Sequence, residues 1–316
     1  MRAVVTGCAG FIGSHLTERL LADGWSVVGI DSIAPTYNTL ERRYQTTRLA
    51  RDGHFEFIEG DLNGMDLSEV VGDSEVVFHL AARPGVRASW RDFGQVSDAN
   101  IRATQHVLDA VADSPETRLV FASSSSVYGQ SDTFPVMETQ PLAPISPYGV
   151  TKAAGEALLS AYASQFDIPI TSLRYFTVYG PRQRSDMAFN RWIHRALRRE
   201  PLPIYGDGKA IRDFTYVSDV VEATVLAASD PTPGHRIYNV AGGSPASLGE
   251  VIDLIEDLVG VPVQVDHIEA AKGDPQRTGG DTQRIRTALG WEPLVDMPTG
   301  LEAQMRWMRD AGSQGE

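Results

Sequence analysis

Short apolar runs alternate with longer amphipathic stretches along the first half of the chain. Residues 3–6 read as a strand, and residues 11–23 as a helix with Ile12, Leu16, Leu20 and Leu21 at helical spacing. Apolar runs then recur at 26–30, 55–58, 76–80, 119–122 and 170–175, with helical patterns at 93–112 and 148–166 between them. Strands alternating with helices over short connections predict a parallel, doubly wound sheet of the Rossmann type. Beyond Pro181 the alternation becomes irregular, which suits a smaller α/β lobe closing over the sheet edge. A strand near 236–240 is expected to return to the main sheet. The lobes then interleave as a larger domain over 1–176, with that returning strand, and a smaller lobe over 177–316. Helical patterns at 248–259 and 301–309, with Trp291 and Trp307, read as packing.

Composition narrows the field. The formal net charge of −13 argues against nucleic acid or an anionic membrane as a partner. It also means that an anionic ligand needs clustered arginines. No apolar run approaches the roughly 18 residues of a membrane span, and residues 2–7 read as a strand, not a signal peptide. A single cysteine, Cys8, fits a reducing cytoplasm and reads as a buried filler. No metal-ligand pattern is evident.

Chemistry gathers at the ends of the predicted strands. Gly7-Cys-Ala-Gly10-Phe-Ile-Gly13 joins the first strand to the first helix, the context of a dinucleotide fingerprint. Asp31 ends the second strand, where an acid can accept both ribose hydroxyls and repel a 2′-phosphate, favouring NAD over NADP. Arg42 and Arg43 lie further along. Asp61 ends the third strand, where it could meet the adenine, and Ala81 and Ala82 leave room for a cofactor. Asn100 sits inside the 93–112 helix. Ser146 and Pro147 suit an N-cap and first helical position, placing Tyr148 and Lys152 one turn apart on one face. The helix dipole and the Lys152 ammonium are both expected to lower the Tyr148 phenol below ~10, as a proton acceptor near neutrality requires. Ser124 could complete a relay.

These pieces, with His79-Leu-Ala-Ala, Ser123-Ser-Ser-Ser-Val-Tyr-Gly, Arg174-Tyr-Phe-Thr-Val-Tyr-Gly-Pro-Arg and Arg212-Asp-Phe-Thr-Tyr-Val-Ser-Asp-Val, resemble the nucleotide-sugar epimerases of the extended short-chain dehydrogenase/reductase superfamily. The resemblance implies Tyr148 as base, Lys152 on the nicotinamide ribose and Ser124 in the relay. It implies NAD held by Gly7, Gly10, Phe11, Ile12, Gly13, Asp31, Asp61, Leu62, Leu80, Ala81, Ala82, Asn100, Tyr148, Lys152 and Tyr175. Related dehydratases and decarboxylases carry an acid just after the Ser124 position. Ser125 and Ser126 stand there instead, which argues against water elimination. The run from Thr177 to Arg184, with Gly85-Val-Arg87 and the four serines, is most similar to UDP-glucuronate 4-epimerases, although Pro181-Arg-Gln-Arg184 replaces their Pro-Trp-Gly-Arg. A uronate needs hydroxyls and a cation for its carboxylate. Ser125, Ser126 and Thr177 are expected to line it, with Arg184 or Arg87 nearby. Tyr205, Arg212 and Arg277, the last in Gly273-Asp-Pro-Gln-Arg277, resemble family positions that receive the nucleotide. Relatives also imply a homodimer paired through the 93–112 and 148–166 helices. A UDP-glucose or UDP-N-acetylglucosamine epimerase, a UDP-glucuronate decarboxylase and a non-catalytic NAD-binding regulator remain open readings.

Overall fold

Every apolar run of the first half becomes a parallel strand. A computed structural model describes residues 1–34, 39–269, 273 and 275–313. Its strands are β1 (Arg2–Thr6), β2 (Ser26–Asp31), β3 (Phe55–Glu59), β4 (Val76–His79), β5 (Arg118–Ser124), β6 (Pro169–Tyr175), β7 (Thr177–Tyr179), β8 (Leu202–Tyr205), β9 (Ile211–Tyr216), β10 (Gly234–Val240), β11 (Pro245–Ser247) and β12 (Val265–Ile268). Seven of them form one sheet in the order β10-β6-β5-β4-β1-β2-β3, with every neighbouring pair parallel. The chain runs outward from β1 through β2 to β3, then crosses to β4 on the other side of β1. That reversal opens a crevice at the carboxyl ends of the strands.

Strands such as β4 and β6 are buried along their whole length because helices cover both faces. One face packs Leu16 and Leu20 of helix Phe11–Ala22 beside Val220 and Val221 of helix Val217–Ala227. The other packs Val107, Leu108 and Val111 of helix Ala103–Ala112 with Leu159 of helix Pro147–Phe166. The pattern read as one helix over 93–112 is Phe93–Ser97, a π-helical stretch Asp98–Arg102, and Ala103–Ala112.

After β6 the chain leaves the sheet, builds β7 to β9, and returns as β10 alongside β6. The three-stranded sheet β11-β9-β7 and the pair β12-β8 belong to the second lobe, around a core that includes Phe189, Trp192, Ile204, Val251 and Leu301. Helix Val217–Ala227, Ile285 and Trp291 pack with the main sheet instead, and the Trp291 indole donates to the Asp219 carbonyl at 2.9 Å. Trp307 is half-buried.

Helix Phe11–Ala22 lies very close to the turn after β1. A Cβ added at Gly13 would stand 2.1 Å from the Gly7 carbonyl oxygen, so helix and turn would have to separate. Gly13→Ala is expected to cost about 1–3 kcal/mol, read as a lower urea midpoint with an unchanged m value.

Candidate active site

A cavity of about 500 Å³ opens at the carboxyl edge of the large sheet. Its wall includes Gly7, Gly10, Phe11, Ile12, Gly13, Asp31, Asp61, Leu62, Leu80, Ala81, Ala82, Tyr148, Lys152, Tyr175 and Arg184, so most of the expected residues converge. Gly7 has φ +74°, and a Cβ there would lie 2.8 Å from the Ala81 backbone nitrogen. Gly10 starts helix Phe11–Ala22 with no side chain capping the first turn. A bare helix N-terminus beside a glycine turn is an anion cradle. The residues present fit a dinucleotide diphosphate.

Asp31 ends β2 and accepts from the Ala9 amide at 3.1 Å and the Ile33 amide at 2.8 Å. The structure adds an arginine that seemed too distant in sequence: Arg42, from helix Thr39–Leu49, pairs with the Asp31 carboxylate and lines the same end of the cavity. Asp61 caps the turn Leu62–Gly64 by accepting from the Asn63 amide. Asn100 does not line the cavity. Its carboxamide accepts from the Arg83 amide at 2.7 Å and donates to the Arg83 carbonyl and the Thr151 hydroxyl. It braces the loop after β4 against the Tyr148 helix, so any part it plays toward a cofactor runs through that loop.

Tyr148 stands in the first turn of helix Pro147–Phe166. Ser146 caps the helix by accepting from the Gly149 amide, and Pro147 opens it. Gly149 permits the turn Ser125–Val127 to approach, since a Cβ there would be 2.5 Å from the Ser126 carbonyl. The Ser124 hydroxyl accepts from the Ser126 amide at 3.1 Å and is one of the influences that favour the Tyr148 phenolate. β5 runs on through Ser124, two residues further than its apolar pattern.

The expected lowering of the Tyr148 phenol is corrected by its surroundings. Burial pushes it up, and the opposing influences are the Arg184 guanidinium and the bond with Ser124. Lys152 instead turns its ammonium to the Ala122 carbonyl at 2.7 Å, above the Phe121 ring. Burial lowers Lys152 to about 8, with Glu156 opposing. Sequence shows dipoles and spacings but not desolvation, which here is the largest influence on both groups.

The substrate-side candidates form a second arc. Ser125, Ser126 and Thr177 are half-buried, Thr177 opening β7 two residues beyond Tyr175. Arg184 reaches the cavity and pairs with Asp186 at 2.9 Å. Arg87 is outside the cavity wall and stacks on Tyr205, its guanidinium carbon 3.5 Å from the ring centroid, joining the two lobes. Arg212 and Arg277 lie on adjacent stretches, with Ile211 bridged to Arg277. Asp274, within the second arginine motif, falls outside the described residues. Arg182, which the sequence marked only as a departure, lines the cavity and pairs with Glu18 of helix Phe11–Ala22 at 2.7 Å. No metal-binding group of His, Cys, Asp or Glu occurs among the described residues.

The family model described as "NAD dependent epimerase/dehydratase family" matches residues 3–241. The chain is 42% identical to an "Uncharacterized UDP-glucose epimerase YtcB" of Bacillus subtilis, over 98% of each chain. It is 34% identical to a UDP-glucuronate 4-epimerase of Thermodesulfobacterium geofontis, over 97% of this chain and 96% of that one. A crystal structure of the Bacillus cereus UDP-glucuronic acid 4-epimerase, in complex with UDP-glucuronic acid and NAD, superposes with a TM-score of 0.94. That match is 40% identical and covers 98% of this chain and 100% of the other.

Next to Arg212, Asp213 is buried and accepts from the Gly243 amide at 3.0 Å and the Gly280 amide at 3.4 Å, fastening β9 to the segments after β10 and Arg277. Burial raises its carboxyl from 3.8 to about 6. The folded state therefore holds this proton more tightly than the unfolded chain. The group's contribution is full below pH 3.8 and is lost as pH rises to about 6. The stability difference between wild type and Asp213→Asn, from urea unfolding, is expected to shift against the wild type across that window and level off above it.

Proposed function

The chain belongs to the NAD dependent epimerase/dehydratase family, and within it we propose an isomerase: an NAD-dependent C4 epimerase interconverting UDP-glucuronate and UDP-galacturonate through a 4-keto intermediate. The observation that carries this reading is the single cavity whose wall joins Tyr148, Lys152 and Arg184 to the glycine turn Gly7, Gly10 and Gly13. Neither Ser125 nor Ser126 offers a carboxyl for elimination chemistry.

NAD, when bound, accepts a hydride from C4 of the sugar and returns it. Tyr148 takes the C4 hydroxyl proton, and Ser124 favours its phenolate form. Lys152 offers its ammonium to the nicotinamide ribose. Gly7, Gly10, Phe11, Ile12 and Gly13 receive the diphosphate, Asp31 the adenosine ribose, Asp61 and Leu62 the adenine. Return of hydride to the opposite sugar face requires the 4-keto sugar to turn over between the two transfers. Arg212, Arg277 and Tyr205 hold the uridine diphosphate as the pivot. Ser125, Ser126, Thr177 and Arg184 receive the C6 carboxylate. A 4-keto uronate is a β-keto acid, which loses CO₂ when its carboxylate bond lines up with the carbonyl. Directed hydroxyls and a guanidinium hold the carboxylate out of that alignment.

The second reading, a UDP-glucose 4-epimerase, is favoured by the naming of the Bacillus subtilis relative. A homodimer accords with the apolar surface of Trp90 (56% exposed), Phe93, Val150 and Phe166, three of which lie on the helices expected to pair. Among the described residues no helix is long and apolar enough to cross a membrane, and the lone buried thiol of Cys8 accords with a cytoplasmic enzyme.

Incubating the protein with UDP-glucuronate and no added NAD is expected to yield UDP-galacturonate on chromatography. Conversion of UDP-glucose alone would transfer the assignment to the second reading, and inactivity across the panel would reject epimerisation. Tyr148→Phe is expected to lower kcat by about 10²-fold or more. Thr177→Ala or Arg184→Ala should raise the pentose by-product or cut turnover by roughly 10-fold, the loss of about one charge-assisted bond. Wild-type behaviour in both would refute the carboxylate site.

A further inference from the structure

Only three of the 28 basic residues are lysines: Lys152, Lys209 and Lys272. The chain relies on arginine elsewhere, and at the one buried position beside the reacting atoms it keeps a group that can lose its proton. Lys152 is 3% exposed. A charge so placed needs a compensating partner, and its one described bond is to the neutral Ala122 carbonyl.

One turn further along the same helix is Glu156, equally buried and absent from the cavity wall. Its carboxylate accepts from Arg174 Nε at 2.9 Å and Nη2 at 2.6 Å, and from the Ser123 hydroxyl at 2.5 Å. Arg174 also donates to the Tyr128 hydroxyl and the Glu138 carbonyl. The carboxylate is thus clamped by β5 and β6 behind the lysine, at a spacing that puts both on one helix face.

We propose that Glu156, clamped by Arg174 and Ser123, is a positioning residue that keeps the Lys152 ammonium charged and aimed at the cofactor side of the cavity. Its carboxylate is the influence that opposes the lowering of Lys152 by burial. Other ionisable groups near Lys152 include Tyr148, one turn back on its own helix, and His79 on β4, while Asp31, Glu41, Asp61 and Asp98 line the same cavity. His79, buried and depressed to about 3, is neutral at working pH. Of the acids, Glu156 is the one that acts appreciably on Lys152, from the same helix face one turn along. The inference rests on the epimerase reading for its functional meaning, but not for its test.

With only three lysines, ¹³Cε-lysine labelling gives a spectrum in which the Lys152 signal is assigned by its loss in Lys152→Arg. Glu156→Gln is expected to lower the Lys152 midpoint by about one unit, and Glu156→Asp to hold it closer to the wild-type value. Glu156→Gln/Arg174→Met removes the stranded guanidinium, so it tolerates burial better than the single change, and it too is expected to titrate low. The alkaline limb of kcat should move down in parallel. A merely structural role would leave the midpoint alone while lowering stability. An unmoved midpoint in Glu156→Gln and in the double variant would overturn the proposal. An inactive wild type would instead overturn the epimerase reading, and the titration would still judge Glu156.

Discussion

A carboxylate and a guanidinium, each 3% exposed and bonded in parallel, fasten the active edge of this molecule. Glu156 belongs to the Tyr148 helix and Arg174 to β6. Ser123 adds β5, and Tyr128 carries the chain of bonds on to Asn239 of β10 at 2.7 Å. Removing one partner of such a pair costs about 3–5 kcal/mol because the other charge is left buried and alone. The pair sits where the second lobe leaves β6 and returns as β10, so it fixes the root of that lobe as well as the base helix. A polar network this fully satisfied permits one arrangement and penalises near misses.

Desolvation sets the chemistry that this frame supports. Both Tyr148 and Lys152 lose water, and burial drives both toward neutrality. Cations near Tyr148 and an anion near Lys152 work against that drift. The first role falls to Arg184, from the segment after β7, and the second to Glu156, from behind the sheet. Tyr148 is therefore influenced from the second lobe and Lys152 from the domain of the large sheet. A substrate carboxylate drawn to Arg184 would weaken that cation's effect on the phenol, coupling recognition of the sugar to the strength of the base.

Much of this was legible in the residues. Alternating apolar runs gave the parallel order its basis, and Ser146-Pro147 placed the base helix because a cap and a preset φ act within four residues. The glycine turn was readable for the same local reason. What escaped depends on distant contacts. Arg42 meets Asp31 only because helix Thr39–Leu49 folds back over β2. Asn100 bonds the loop after β4 and Thr151 through its carboxamide, contacts 17 and 51 residues away that no local pattern shows. β7 and β11, three residues each, are too short to carry a period. Glu156 could have been noticed from its four-residue spacing to Lys152, yet only tertiary packing supplies Arg174.

The net charge of −13 then looks less adverse to an anionic substrate. Exposed charges more than about 10 Å away are largely screened at ordinary ionic strength. The proposed substrate would meet the local set: Arg182 and Arg184 at the cavity, Arg212 and Arg277 on adjoining stretches, and Arg87 laid across Tyr205 between the lobes. Arg182 is itself tied to Glu18 on the helix whose N-terminus faces the cavity, so the segment carrying Arg184 is braced against the dinucleotide side. Cofactor and sugar sites thus share a mechanical boundary. Glu18 and Arg182 thereby tie the helix that begins at the glycine turn to the segment that carries Arg184.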